Sequence, residues 1–241
     1  MISDSRSVSS VLVPLTVPVP GEWFLMGSET GRPDERPVHR VYVGPCDAGR
    51  FPVSNREYGC FVAAGQPAPK FWEDERFNGP DQPVVGVPWS GAVTYCEWLS
   101  DQTELRFRLP TEAEWEHAAL GGLDGRLYPW GDAMPLAPSG LLLSDQRMDR
   151  TAPAAGGPTN AFGISGMGWN IHEWCSDWYS QGYYASSPEL DPPGPEQGNR
   201  RASRGGAWRH QVKVSRCAAR SAIPPVFEYN DYGFRVFAEV K

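Results

Sequence analysis

The side chains in this chain best suited to metal or redox chemistry are four histidines and five cysteines. Cys46, Cys60, Cys96, Cys175 and Cys217 are odd in number and widely spaced, and no C-x-x-C pair occurs. That excludes a zinc ribbon or a thioredoxin-type motif. In a reducing cytosol the plain expectation is five buried thiols. The histidines are His39, His117, His172 and His210. Histidine is the commonest metal ligand among side chains, and imidazole suits iron, copper(II) or zinc, whereas copper(I) prefers sulfur. His172 directly precedes Glu173, and His210 follows Trp208 by two positions. Each also has a bland reading. His172 then anchors a loop, His210 is solvated at a strand end, His117 is a half-buried helix residue and His39 is structural.

These side chains need elements to hold them. Trp23 to Ser28 reads as a strand ending in a turn, and Val38 to Val43 alternates as a second strand. Ser54 followed by Glu57 fits a capping box, Tyr58, Phe61 and Val62 give a helical apolar stripe, and Gly65 ends that helix. A second helix is capped by Ser90 and carries Val93, Cys96 and Leu99. A third starts at Thr111, with Glu114 completing another capping box, and stops at Gly121-Gly122. Residues 123–160 read as loop. Short strand-like runs, Ala202–Trp208 and Gly233–Val240, follow. Few helices, few strands and many ordered loops make an α+β domain with low regular secondary structure.

Composition agrees. The 241 residues include 26 Gly and 24 Pro, which favour turns, and 10 Trp, which supply apolar area to pin loops. The net charge is -7 and no basic run forms beyond Arg200, Arg201 and Arg204, so no nucleic-acid partner is expected. The first residues are broken by Pro14, Pro18 and Pro20 and lack a basic start. They read as an extended arm over 1–20 rather than a signal peptide, with the core at about 21–241 of a single domain. No window suits a bilayer span. No membrane association and a cytoplasmic location are therefore expected.

Ten phrases occur in one order. They run through Met26-Gly27-Ser28, Glu35-Arg36-Pro37-Val38-His39, Pro52-Val53-Ser54-Asn55-Arg56-Glu57-Tyr58 and Pro83-Val84-Val85-Gly86-Val87-Pro88-Trp89. Arg108-Leu109-Pro110-Thr111-Glu112-Ala113-Glu114-Trp115-Glu116, Tyr128-Pro129-Trp130-Gly131-Asp132 and Asn160-Ala161-Phe162-Gly163 follow. The last are Glu173-Trp174-Cys175-Ser176-Asp177-Trp178, Arg204-Gly205-Gly206-Ala207-Trp208 and Gly233-Phe234-Arg235. This order, from about Trp23 to Val236, resembles the formylglycine-generating enzyme, or sulfatase-modifying-factor, family. The resemblance implies a variant of the C-type-lectin fold with calcium sites that pin loops. It also implies an oxygen-using reaction at a copper-bound cysteine pair, which turns the cysteine of a Cys-x-Pro-x-Arg peptide into formylglycine.

At the positions of that pair, two and seven residues after Trp208, this chain has His210 and Ser215. His172 stands where the family has a Trp. The resemblance places Glu173, with the carbonyls of Trp169 and Ile171, at a calcium site whose usual Asn or Asp is here Gly166. A second calcium loop, within Leu141–Gly157, lacks its pattern. The expectation is a metal-dependent, oxygen-using oxidoreductase acting on a small molecule or peptide, with His210 and His172 as catalytic ligands of iron or copper and with structural calcium. Formylglycine formation itself is not expected. The alternative is a non-catalytic lectin-like domain that binds a ligand or protein. Cys175 and Cys217 lie in neighbouring blocks and are expected either as free thiols or as a disulfide.

Overall fold

The computed structural model describes residues 11–133 and 148–240. The first half of the arm and part of the Leu141–Gly157 loop lie outside them. The rest of the arm forms β1 (Thr16–Val19), an edge strand. It pairs antiparallel with β4 (Cys46–Gly49), which is joined through β10 (Phe237–Glu239) to the short β5 (Phe107–Arg108). A two-stranded ribbon joins β2 (Glu22–Met26) to β3 (His39–Val43). A third sheet runs in the order β8 (Arg220–Ile223), β7 (Arg201–Arg204), β6 (His172–Trp178), β9 (Tyr232–Gly233).

Three α-helices lie among the described residues. In α1 (Asn55–Ala63) and α3 (Glu112–Leu120) both predicted capping boxes form, Ser54 with Glu57 and Thr111 with Glu114. Each box satisfies backbone N–H groups that a helix start otherwise leaves open. Gly121 closes α3 in the left-handed conformation at φ 64°. The second helix, α2 (Trp89–Asp101), has Pro88 at its N-cap, two residues before the predicted Ser90 cap, which becomes its second residue. The dihedral restriction and missing N–H of proline suit that helix entry.

Tyr58, Phe61, Tyr95, Leu99, Trp174 and Phe234 form an aromatic core beneath α1 and α2, with Tyr58 and Tyr95 stacked at 5.3 Å. A second core gathers Phe24, Val41, Trp115, Ala118 and Phe237 around α3. A buried ionic frame lies on α3. Glu112 accepts hydrogen bonds from Arg204 (2.9 Å) and from two nitrogens of Arg220 (2.8 Å each). One turn on, Glu116 accepts from Arg204 at 2.7 Å and from the Gly27 amide at 2.8 Å. This frame ties β7, β8 and the end of β2 to one helix. None of the five cysteines forms a disulfide, and burial pushes the Cys175 and Cys217 thiols well up, which leaves them inert.

Candidate functional site

Strand β6 decides what each residue near the site does. Side chains alternate across a strand, so neighbours His172 and Glu173 serve opposite faces. Glu173 turns inward and is fully buried. Its carboxylate accepts from Arg235 at 2.9 and 3.1 Å and from the Trp115 indole at 2.8 Å. Its carboxylate is therefore the counter-ion of a buried arginine. A calcium ion on the same oxygens would face that guanidinium, and Gly166 adds no side chain, so the expected set of Glu173, Trp169 and Ile171 is reduced to two carbonyls and a committed carboxylate. Glu173→Gln is expected to cost about 3–5 kcal/mol by orphaning Arg235. The loss should be equal in chelator and in millimolar calcium. A deficit that appears only with calcium would restore the calcium assignment.

His172 and Trp174 point the other way, and both rings meet Tyr232. The His172 ring stacks on it at 4.7 Å with 27° between planes. The pairing of β6 with β9 is parallel, with His172 opposite Tyr232. It brings Asp231 beside the start of β6, where the His172 amide donates to the Asp231 carbonyl at 2.8 Å. His210 lies past the end of β7, beyond the Gly205-Gly206 turn. A Cβ at Gly206 would overlap the Ser215 hydroxyl, so the glycine is what allows this return segment to close on itself.

The two predicted histidines come together. His172 Nε2 lies 2.9 Å from His210 Nδ1, and His210 Nε2 lies 3.5 Å from Asp231 Oδ2. One ligand atom from each of His172, His210 and Asp231 falls within 4.8 Å of the others. Asp231 is the residue that the sequence reading missed. It is fully buried, and Arg209 grips it through two hydrogen bonds of 2.7 Å. Burial, with the charges of His210 and Arg209, pushes the His172 imidazole down to about 3. Burial also lowers His210, with Arg209 adding to the effect and Asp231 opposing it. Both rings are therefore neutral at ordinary pH, as metal ligation requires.

The donor set is two neutral imidazole nitrogens and a carboxylate oxygen. Two ligands side by side on one ion at bond lengths of about 2.1 Å stand roughly 3 Å apart, which the histidine pair already matches. The residues present therefore fit a transition metal, provided that Asp231 shares or exchanges its Arg209 partner. His172 and His210 also line a cavity of about 620 Å³, a size suited to a small ligand. Behind His210 a cleft of about 30 Å³ is walled by Trp130, Trp169, Trp208 and Ser215, room for about one water. The two family cysteine positions, His210 and Ser215, thus both line that small cleft, and His210 also faces the larger cavity.

His117 and His39 are structural. His117 is buried with Nε2 3.0 Å from the Pro20 carbonyl, and His39 sits with Nδ1 3.0 Å from the Pro37 carbonyl against Tyr184. Asp132 accepts from the Leu127 amide at 3.0 Å, as a turn residue does.

Comparison with known proteins identifies the family and the fold. Residues 4–240 match the family described as sulfatase-modifying factor enzyme 1-like domain. The formylglycine-generating enzyme of Streptomyces coelicolor is 33% identical over 282 residues, covering 91% of this chain and 87% of that protein. The serine/threonine-protein kinase pkn1 of Chlamydia caviae is 33% identical over 92% of this chain, which spans only 38% of that relative's length. Among solved structures, PvdO from Pseudomonas aeruginosa superposes with a TM-score of 0.80 at 26% identity, covering 94% of this chain and 95% of that one.

Proposed function

The chain belongs to the family of sulfatase-modifying factor enzyme 1-like domains, and from that premise we propose that it is a metal-dependent, oxygen-using oxidoreductase acting on a small molecule or peptide. The observation that carries the proposal is the convergence of His172, His210 and Asp231 within 4.8 Å at the wall of a ligand-sized cavity. Two histidines and one carboxylate are a donor set suited to non-haem iron(II), and imidazole also serves copper(II). Such an ion would supply the redox chemistry that couples molecular oxygen to substrate oxidation.

The protein's own residues do the rest. Tyr232 fixes the plane of the His172 ring by stacking, and Arg209 sets the orientation of the Asp231 carboxylate. The tryptophans behind His210 keep bulk water from that side, and the cavity in front admits the substrate. The test is elemental analysis of untagged protein after anaerobic reconstitution with iron(II) and with copper(II). Stoichiometric metal supports the enzyme, and none at all removes it.

The alternative, a ligand- or protein-binding domain without catalysis, is favoured by one observation. The Arg209 grip completes Asp231 without an ion. A cytoplasmic setting is favoured by cysteines that form no disulfide.

Formylglycine formation is not part of the proposal. Linear copper(I) ligation needs two thiolates, and Cys217, which is buried and raised in pKa, has no cysteine partner. A Cys-x-Pro-x-Arg peptide incubated with the protein and copper is expected to keep its thiol by mass spectrometry. Efficient conversion to the aldehyde would show that the family reaction survives without the pair.

A further inference from the structure

We propose that the cavity beside His172 and His210 takes a small molecule bearing an oxyanion, a carboxylate or phosphate, held by Lys213 and Arg32. The proposal names the substrate class of the site above and rests on that reading for its catalytic meaning, though not for binding. Among the described residues, four cationic side chains line the cavity, Arg32, Lys213, Arg216 and Arg220, and no carboxylate does. This occurs in a chain of net charge -7, so the excess is local.

Two of the four are neutralised from behind. Arg216 is clasped by both oxygens of the buried Glu35 at 2.6 and 2.7 Å, and Arg220 by Glu112. The other two are held more loosely or not at all. Arg32 forms longer ion pairs with Asp34 and Glu35, at 3.5 and 3.6 Å, and keeps 53% of its side chain exposed. Its Nη2 donates to the Arg220 carbonyl, which holds the guanidinium at the wall. Lys213 is exposed, and its ammonium has no hydrogen bond or ion pair among the described residues.

A concave site of one sign, backed by low-dielectric walls, focuses its field on the ligand. Charge-assisted hydrogen bonds to an oxyanion are about twice as strong as neutral ones. The neutral histidines add no competing anion. The unpaired Lys213 ammonium would repel the arginine of a Cys-x-Pro-x-Arg peptide, which sets this cavity apart from one built for that substrate.

The experiment uses protein stripped of metal on a chelating resin, so binding is read without any ion. Succinate and inorganic phosphate are titrated by calorimetry, with succinamide as the neutral control and putrescine as the cationic one. Both anions are expected to bind, and both controls to bind at least about tenfold more weakly. Lys213→Glu should weaken anion binding by about tenfold or more without shifting the melting temperature, and Lys213→Arg should retain it. Succinamide binding as tightly as succinate, unchanged affinity in Lys213→Glu, or no anion binding at millimolar concentration would each overturn the proposal. Failure of metal binding, read separately by elemental analysis, leaves the anion result standing.

Discussion

Glu112→Ala is expected to leave the protein without a cooperative unfolding transition. Glu112 is the first residue of α3, and its carboxylate is shared by Arg204 and Arg220, whose side chains have no exposed surface. With the carboxylate gone, Arg204 keeps Glu116, but Arg220 keeps only the carbonyls of Asp34 and Ser180. Removing one partner of a buried pair costs about 3–5 kcal/mol, and here one carboxylate serves two cations. Total domain stability is about 5–15 kcal/mol, so the loss consumes most of it. Glu112→Gln keeps the shape and some acceptors and should fall between. Burial works to raise the Glu112 carboxyl, but the Arg220 and Arg204 charges outweigh it and hold it below its ordinary value. Its contribution is then present above the unfolded value of about 4.3 and lost as pH falls through the folded one. Urea denaturation followed by circular dichroism checks both parts. A Glu112→Ala protein that melts cooperatively within a few degrees of wild type would show that the frame is not what holds β7 and β8 to α3.

Much of this frame was legible in the sequence, and the site was only partly so. Ser54 with Glu57 and Thr111 with Glu114 are local signals, and both helices start where they say. Arg220 and Arg235 are buried and carboxylate-paired, a pairing that the planar guanidinium fork suits. The pairing of His210 with His172 followed from where each departs from the family's pattern. Asp231 did not, because nothing within a few residues marks it. It reaches His210, 21 positions earlier, only through the parallel register of β9 on β6. That register is set by long-range pairing, which no periodicity encodes. The one available signal was an acidic residue immediately before the Tyr232-Gly233-Phe234-Arg235 strand. Glu173 shows the opposite failure. The resemblance placed it at a calcium site, next to His172 as an expected transition-metal ligand; the strand period sends the two to opposite faces and Glu173 to Arg235.

The dependence of metal binding on all three ligands is the other large expected effect. Wild type reconstituted anaerobically should retain iron(II), or copper(II) when that is supplied, at about one ion per chain. His210→Ala, His172→Ala and Asp231→Asn should each weaken that binding by more than about 100-fold, since even outer partners of metal ligands account for 10–100-fold. The His210 side chain is 38% exposed, so its truncation leaves the core intact, and a normal melting temperature without metal will show this. Arg209→Met separates the two readings of Asp231. Arg209 and the ion compete for the same carboxylate, so removing the guanidinium should keep or raise metal affinity. It should also lower stability without metal, because the buried Asp231 loses its counter-ion. In the binding-domain reading the same substitution destabilises the protein and added metal restores nothing. Metal that binds only the folded state should raise stability by about 2.7 kcal/mol at a hundredfold excess over its dissociation constant. That shift should appear in wild type and Arg209→Met and vanish in the three ligand variants. If wild type holds neither iron nor copper, or if Asp231→Asn holds as much as wild type, the three-residue centre is not a metal site.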